Sequence, residues 1–305
     1  MTQDMSSIRA QAERWVDQLT VHGYCIIPDL VGRLEIAALQ KDLSALFEAS
    51  PFCEGWFYGE RTKRFGSLLR RSAHAETLVM QPVLLAIADA ILGKACDRIQ
   101  MNVAQAIEIH PGALCQVPHR DHDMWQGEKG EHEYLLNVIW PLTPFTAANG
   151  ATQIYPGSHG PGGAGRERLA DPIIAECQPG SAICFLGSTL HGAGGNESTA
   201  VRQAVVFGYS LGWLKPYENL WLAYPPEVAR HFSPELAALV GYAQHRPNLG
   251  NYEGCCPSIL LKDTRPDLPG AIDALRPDQS EMIAGFVAKQ AEGDRLPWLT
   301  SNPAG

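Results

Sequence analysis

A series of short β-rich runs between residues 99 and 211 limits the possible folds more than any other feature of this sequence. Pro-Gly and Asn-Gly dipeptides stand between several of these runs, and both are strong turn signals. The runs cover residues 100–109, 135–140, 151–155, 182–186 and 201–211. Many short strands at this spacing are typical of an all-β barrel or sandwich.

Helices are predicted on both sides of this β-rich region. Residues 33–49 carry apolar side chains at helical spacing. Two further helical stretches cover residues 6–20 and 76–92, and Pro82 in the second suits the first turn of a new helix. A shorter helical segment is expected at 234–240. The sequence therefore predicts an all-β core with added helices.

Two other segments show no regular period. Residues 53–71 combine aromatic, basic and glycine residues. A long irregular segment of this kind is either a lid over a binding site or a surface connector, and the sequence leaves both open. The glycine-rich run 160–165 is predicted to be a flexible loop. It does not match a phosphate-binding turn, because no Lys-Ser or Lys-Thr pair follows it.

The chain length of 305 residues predicts one domain with additions rather than two full-size domains. Its composition, 45% hydrophobic and 19% charged, is that of a globular protein with a sizeable core. The expected parts are a mainly helical segment 1–95, a β core 96–215 and a C-terminal extension 216–305.

The charge balance and the hydropathy pattern exclude several classes of partner. With 24 basic and 33 acidic residues the net charge is −9, which argues against a nucleic-acid partner. No run of eighteen apolar residues exists, so neither a transmembrane helix nor a membrane partner is predicted. The N-terminus lacks the pattern of a secretory signal, and we expect a cytoplasmic protein.

The eight cysteines are predicted to be free thiols. None of them forms a C-x-x-C pair, which argues against a zinc ribbon or a thioredoxin motif. Cys255 and Cys256 are adjacent, and the sequence assigns them no role.

The segment His119-Arg120-Asp121 offers two side chains that can bind one metal ion together. On a β-strand, side chains two positions apart point to the same face, so this imidazole and this carboxylate converge. His191 follows the apolar run 182–186 and can supply a third ligand. Two histidines and one carboxylate on one face of an ion leave three positions open, as in non-haem Fe(II) enzymes that activate O₂.

Arg202 lies eleven residues after His191, in an alternating run whose same face carries Ala204 and Val206. An arginine among small apolar side chains needs a carboxylate partner. 2-Oxoglutarate offers one, because its keto-acid end chelates iron and its distal carboxylate can meet a guanidinium. A structural ion pair is the alternative role for Arg202.

A longer motif series around these residues resembles the phytanoyl-CoA dioxygenase family of Fe(II)/2-oxoglutarate-dependent oxygenases. The matching segments are Pro111-Gly112, Gln116-Val117-Pro118-His119-Arg120-Asp121, Asn149-Gly150-Ala151-Thr152, Pro156-Gly157-Ser158-His159, Pro179-Gly180-Ser181, His191-Gly192-Ala193-Gly194-Gly195-Asn196 and Arg202. Residues 61–64 and 211–219 are similar to the branch that includes fungal meroterpenoid and alkaloid dioxygenases. The resemblance covers most of residues 20–260.

This resemblance implies a double-stranded β-helix (a cupin-like jelly roll) with N-terminal helices packed on it. It implies His119, Asp121 and His191 as the iron ligands that carry catalysis. Arg202 would pair with the distal carboxylate of 2-oxoglutarate, and Gln116 and Thr152 match positions that line the co-substrate pocket. The implied reaction uses O₂, releases succinate and CO₂, and hydroxylates an unactivated C–H bond, with desaturation or ring rearrangement as variants.

The substrate is expected to be a lipophilic small molecule of secondary metabolism or catabolism. Aromatic residues cluster at 56–65 and 213–224, and Trp125 and Trp213 either line a substrate pocket or pack in the core. The basic residues of 61–64 either recognise a carboxylate, phosphate or CoA group or are solvated. The resemblance also makes a homodimer an open possibility.

Two departures from the family pattern narrow the range of relatives that the chain resembles, and alternative functions remain open. The sequence lacks the Trp-His-Ser-Asp ligand segment of ectoine hydroxylases, and Asp121 argues against the halogenase relatives, where a small residue opens a halide site. The alternative function is a jelly-roll module that binds a metal and a ligand without oxygenase activity; a metal-dependent isomerase or hydrolase is a further option. Arg202 favours the oxygenase, because only an oxo-acid co-substrate explains it well.

Overall fold

The computed structural model describes residues 5–127, 129–160, 171–264 and 266–291. Most of the predicted glycine-rich loop at 160–165 lies outside the described residues. The chain divides into two compact units, Met1–Gly241 and Tyr242–Gly305. All residues singled out above as candidate ligands belong to the first unit.

Helices flank the strands of the first unit, as the sequence predicts. They are α1 (Met5–His22), α2 (Arg33–Ala49), α3 (His74–Val79), α4 (Pro82–Leu92), α5 (Leu220–Ala223), α6 (Pro226–Ala229) and α7 (Pro234–Leu239). The predicted break at Pro82 is confirmed: the Gln81 side chain caps α4 by accepting hydrogen bonds from the backbone N–H groups of Val83 and Leu84. Such a cap stabilises a helix by about 1 kcal/mol. Helix α4 packs against α1 and the adjoining sheet.

The strands form two antiparallel sheets. They are β1 (Tyr24–Ile27), β2 (Thr62–Phe65), β3 (Ile99–Ile109), β4 (Leu135–Pro141), β5 (Thr152–Ile154), β6 (Ile173–Ile174), β7 (Ala182–Leu186), β8 (His191–Ala193) and β9 (Arg202–Leu211). One sheet has the order β1-β7-β4-β9-β3-β2, and the other has the order β6-β5-β8. The β-rich core with added helices is therefore confirmed.

A buried apolar cluster connects the two sheets. Its members come from β4, β7 and β9 of the larger sheet and from β5 and flanking residues of the smaller one: Ile139, Phe145, Ala151, Ile154, Ala175, Ile183, Phe185 and Ala204. Burial of an apolar side chain of valine or leucine size stabilises the fold by about 1.5–3 kcal/mol. This cluster holds β5 against β4, β7 and β9, and β5 in turn pairs with β8, which carries the candidate ligand His191.

The segment predicted to be irregular contains a strand. Residues 62–65 form β2, which pairs with β3 in the register Thr62 with Ile109 and Phe65 with Ala106. The strand is not evident from the sequence, because its basic side chains are typical of a solvated segment. In the structure, Lys63 and Arg64 each have a hydrogen-bond partner within the protein. Lys63 Nζ donates to the Phe47 carbonyl at 2.8 Å. Arg64 Nη1 donates to Gln105 Oε1 at 3.1 Å.

The second unit contains a 3₁₀ helix at Pro257–Leu261 and the helix α8 at Pro277–Ala291. The Cys255 thiol donates to the Gly270 carbonyl at 2.8 Å. All eight cysteines are free thiols. Among the described residues, no helix combines the length and the apolar character needed to span a bilayer.

Candidate metal centre

A single β-bridge places His119 beside His191. The backbone N–H of each residue donates to the carbonyl of the other, at 2.9 and 3.0 Å. His191 is the first residue of β8, whereas Asp121 begins a 3₁₀ turn, Asp121–Met124. The expectation that His119 and Asp121 share a strand is therefore wrong. The two side chains still converge, because the turn starts directly after the bridge.

The three candidate ligands meet at one point. His119 Nε2 lies 3.2 Å from Asp121 Oδ1, and His191 Nε2 lies 3.5 Å from Asp121 Oδ2. One ligand atom from each side chain lies within 4.8 Å of the others. Ligands at about 2.1 Å from an ion and at right angles to each other are about 3 Å apart. The spacing of the three side chains therefore fits a single divalent ion.

Backbone carbonyls fix which nitrogen of each histidine faces this point. His119 Nδ1 lies 3.0 Å from the Val117 carbonyl, and His191 Nδ1 lies 3.0 Å from the Thr189 carbonyl. A carbonyl oxygen only accepts, so each Nδ1 carries the proton and donates. In the neutral rings both Nε2 atoms therefore carry the lone pair on the side of Asp121, as metal ligation requires, and only a protonated ring donates from Nε2 to the carboxylate.

Asn137 holds the carboxylate from behind. Its Nδ2 donates to Asp121 Oδ2 at 2.7 Å. Asn137 lies in β4, where every residue is buried. Asn137 is not among the residues predicted from the sequence, although a polar residue inside the apolar run Leu135-Leu136-Asn137-Val138-Ile139 is a usable signal. A buried amide needs a hydrogen-bond partner, and here the partner is a ligand.

The three ligands shift one another's pKa values. Burial raises the pKa of Asp121, but the adjacent His191 and His119 together with the Asn137 hydrogen bond outweigh it, and the net pKa is lowered. Burial lowers the pKa of His119, yet the hydrogen bond and charge of Asp121 leave it raised overall. The pKa of His191 is lowered, chiefly by burial. The carboxylate is thus ionised at neutral pH.

Arg202 is the first residue of β9 and is only 3% exposed. Its Nη1 donates to the Gly150 carbonyl, and its guanidinium carbon lies 4.4 Å from the centre of the Phe145 ring. Within the described part of the chain, its Nε has no hydrogen-bond partner and no carboxylate lies within 4.0 Å. Burial lowers the pKa of Arg202 to about 9. Among the described residues, this buried cation therefore has no ion-pair partner.

Gln116 and Thr152 lie beside the metal ligands. Thr152 on β5 pairs in register with Ala193 on β8. Gln116 Oε1 accepts from the Ala193 N–H at 3.3 Å, and its Nε2 donates to the Phe57 carbonyl at 3.1 Å. Both residues line one cavity of about 130 Å³ together with Arg202 and the three ligands. Six of the eight site residues predicted from the sequence are therefore brought together.

Arg64 is a second cation in this cavity. Besides its bond to Gln105, its guanidinium carbon lies 5.0 Å from the centre of the Tyr58 ring. Burial is the main cause that lowers its pKa. The hydroxyl groups of two further lining residues, Tyr58 and Tyr217, hydrogen-bond to each other. In the sequence, Arg64 lies in the basic segment 61–64, and no local signal distinguishes it from Arg61 and Lys63.

The two tryptophans predicted as substrate contacts do not line this cavity. Trp125 Nε1 donates to the Lys215 carbonyl at 2.9 Å, and Trp213 Nε1 donates to the Ala95 carbonyl at 3.0 Å. Both rings meet Tyr134 edge-on, with centroids 6.2 and 6.1 Å away. Their bonds join segments that are distant in the sequence.

Curated relatives of this chain are dioxygenases. Dioxygenase FrzG from Cladobotryum sp is 33% identical over 210 residues, which are 62% of this chain and 67% of that protein. Multifunctional dioxygenase ausE from Aspergillus calidoustus is 30% identical over 204 residues, covering 60% of this chain and 67% of that protein.

Solved structures show the same fold at low sequence identity. The non-haem α-ketoglutarate-dependent epimerase SnoN of nogalamycin biosynthesis aligns with a TM-score of 0.56 at 17% identity, covering 68% of this chain and 86% of SnoN. HygX from Streptomyces hygroscopicus, solved with nickel and 2-oxoglutarate, aligns with a TM-score of 0.51 at 12% identity, covering 67% of this chain and 89% of HygX.

The family model for phytanoyl-CoA dioxygenase matches residues 19–204. That match spans more than half of the 305 residues and includes the three candidate ligands. The chain therefore belongs to the phytanoyl-CoA dioxygenase family of Fe(II)- and 2-oxoglutarate-dependent enzymes.

Proposed function

We propose that this chain is a dioxygenase that oxidises an unactivated C–H bond of a lipophilic small molecule and converts 2-oxoglutarate to succinate and CO₂. Its β core would be a double-stranded β-helix. One observation carries the proposal: the buried Arg202, with no carboxylate partner among the described residues, lies in the same cavity as His119, Asp121 and His191.

The ligand set fits Fe(II). Two neutral imidazoles and one carboxylate would bind one face of the ion and leave three positions for co-substrate and O₂. The Nδ1 bonds of His119 and His191 and the Asn137 amide hold these side chains in the binding orientation. His119, Asp121 and His191 are therefore the proposed metal ligands.

The remaining charges of the cavity fit a dicarboxylate. Arg202 and Arg64 both line the cavity, and neither has a carboxylate of the described residues within 4.0 Å. Arginine binds carboxylates well because its N–H groups form a planar fork. We assign the distal carboxylate of 2-oxoglutarate to Arg202, with Gln116 and Thr152 beside it. The volume of about 130 Å³ suits a compact acid.

Bound iron with 2-oxoglutarate and O₂ supplies an oxidant strong enough to take hydrogen from an unactivated C–H bond. The chain contributes position and environment. Arg202 and Gln116 orient the co-substrate, and the burial of His191 and Arg202 keeps bulk water from that side of the site. Low local polarity strengthens each of these charge interactions.

The test uses anaerobic addition of Fe(II) and 2-oxoglutarate to the purified protein, followed by a substrate screen scored by succinate release. We expect a weak visible charge-transfer band in the wild type and its loss in Asp121→Ala. Substrate-dependent succinate formation should disappear in the same variant. Normal turnover by Asp121→Ala would show that the metal site is misplaced.

A ligand-binding module without oxygenase activity is the second candidate: the buried Arg202 favours the oxygenase, but it would also bind the carboxylate of a ligand that is not turned over. It predicts the charge-transfer band but no succinate on admission of O₂ with any substrate of the screen. The possible homodimer is tested separately by sedimentation.

A further inference from the structure

A second cavity of about 600 Å³ lies between residues 56–62 and 112–117, next to the metal cavity. We propose that it binds the body of the substrate, and that the substrate is a largely apolar molecule with one anionic group that meets Arg61. This inference rests on the proposed oxygenase function, which it extends to the class of substrate.

The sizes of the two cavities indicate which ligand each one binds. Pockets that enclose small organic ligands measure about 300–1,000 Å³. The metal cavity, at about 130 Å³, is below that range, and in the proposed function it is occupied by 2-oxoglutarate. The second cavity is within the range. A substrate much larger than 2-oxoglutarate therefore has space in the second cavity and reaches the metal cavity with one end only.

One wall separates the two cavities. Phe57 and Gln116 line both of them, and the Gln116 amide donates to the Phe57 carbonyl at 3.1 Å. The Phe57 ring stands edge-on to the His119 ring, with centroids 4.9 Å apart. A molecule in the second cavity is thus one side chain away from a metal ligand. Phe57 is half-exposed, so a ligand in the second cavity can contact its ring directly.

The walls of the second cavity are unusually apolar for an exposed region. Trp56 and Leu114 are each 80% exposed, and Val117 is 60% exposed. Single exposed apolar residues are normal, but several around one cavity mark a binding site. These three side chains come from both segments that border the cavity, so they can cover an apolar ligand from two sides.

The charges on this cavity favour an anion. Two guanidinium groups, Arg61 and Arg64, line it together with one carboxylate, Glu60. Arg61 Nε donates to the Pro111 carbonyl at 2.6 Å, which fixes the guanidinium at the edge of the cavity. An arginine has five N–H donors, and no carboxylate of the described residues lies within 4.0 Å of this one. Arg61 is available for an anionic group of the ligand.

The test measures binding of two fluorescent probes to the metal-free protein. 8-Anilinonaphthalene-1-sulfonate is apolar and anionic, whereas N-phenyl-1-naphthylamine has the same rings without the sulfonate. We expect Trp56→Ala to weaken both probes about fivefold or more. Arg61→Gln should weaken the sulfonate about five- to tenfold and leave the neutral probe within about twofold.

Leu222→Ala is the matched control, because Leu222 is 76% exposed on α5 and does not line the cavity. It should bind both probes like the wild type. Leu114→Ala repeats the test if Trp56→Ala unfolds, and circular dichroism checks each variant. Equal affinities of wild type, Trp56→Ala, Leu114→Ala and Arg61→Gln for both probes would overturn the proposal.

The test is independent of catalysis, since it needs neither metal nor O₂. If the protein forms succinate but the cavity variants bind both probes like the wild type, the cavity assignment is wrong and the proposed function is not affected. Probe binding with the expected pattern, but no succinate from any substrate, would refute the oxygenase function alone.

Discussion

The amide of Asn137 donates to Asp121 at 2.7 Å from within a strand in which every residue is buried. This bond occupies one lone pair of Oδ2 and leaves Oδ1 facing His119. Such a fixed orientation favours metal binding by the carboxylate and the two imidazoles. A freely rotating carboxylate would lose conformational entropy when it binds the ion. The Asn137 side chain is therefore a positioning group for a metal ligand.

Asn137→Ala should weaken binding of a divalent metal about 10- to 100-fold, because Asp121 loses the group that orients it. The measurement is a titration with Co(II), which is stable to air and absorbs in the visible. Asn102→Ala is the control: Asn102 is also buried, but its Oδ1 accepts from the Tyr217 backbone N–H instead. The control should keep its metal affinity within about twofold. Equal losses in both variants would assign Asn137 a structural role only.

Arg202→Gln should raise the dissociation constant for 2-oxoglutarate about tenfold or more. The reason is the loss of a charge-assisted hydrogen bond to a carboxylate, worth about 1.5–3 kcal/mol. Anaerobic titration of the Fe(II)-loaded protein, followed by the charge-transfer band, measures it without a substrate. Metal affinity itself should not change.

Arg202→Lys separates charge from geometry. A lysine keeps the positive charge but lacks the planar fork, by which Arg202 can donate to the Gly150 carbonyl and still present N–H groups to a carboxylate. We expect an affinity between those of the wild type and Arg202→Gln. If the glutamine variant bound 2-oxoglutarate as tightly as the wild type, the buried cation would have no part in co-substrate binding.

Much of the fold was predictable, because the strands carry local signals. The runs at 135–140 and 182–186 match β4 and β7 to within one residue, since both are apolar and the second begins just after the Pro179-Gly180 turn signal. The strand at 62–65 was missed. Its polar side chains looked solvated, and only the long-range contacts of Lys63 and Arg64 show otherwise.

The candidate site was predictable in its residue types but not in its supporting groups. His119, Asp121 and His191 could be picked by chemistry and motif. The bridge between His119 and His191 joins residues 72 positions apart, and no local pattern encodes it. The position of Phe57 against His119 likewise depends on packing between distant segments. Such contacts follow from tertiary structure alone.

Metal affinity should fall with decreasing pH in a range set by His119. Its pKa is raised above the ordinary histidine value, so its imidazole takes up a proton at higher pH than a free histidine does. The protonated ring cannot bind metal, so protons compete with the ion as the pH drops through this raised pKa. The pKa values of Asp121 and His191 are lowered, so these two stay unprotonated there.

We therefore expect the logarithm of Co(II) affinity to approach a slope of one proton per ion at pH values below the raised pKa of His119. His159→Gln is the control, since His159 Nε2 contacts the Thr20 carbonyl away from the cluster. Its profile should match the wild type. A slope of two in this range would mean that His191 also takes up a proton, contrary to the environment described.

Gly150→Ala should destabilise the fold more than an ordinary glycine substitution. Gly150 has a φ of +85°, and an added Cβ would meet the Gly194 carbonyl oxygen at 2.5 Å. Gly55→Ala is the matched control, because Gly55 has a φ of +93° but open space around its Cβ position. The control should lose about 1–2 kcal/mol from the positive φ alone.

For Gly150→Ala we expect about 3 kcal/mol, since overlap with backbone adds to the φ strain. Urea unfolding of both variants measures the difference. The Gly150 carbonyl also accepts from Arg202, so a shift of this turn displaces the guanidinium. Affinity for 2-oxoglutarate should therefore fall in Gly150→Ala and remain unchanged in Gly55→Ala. Equal stability losses would show that the added Cβ is accommodated without overlap. Unchanged co-substrate affinity in Gly150→Ala would show that the turn can move without displacing Arg202.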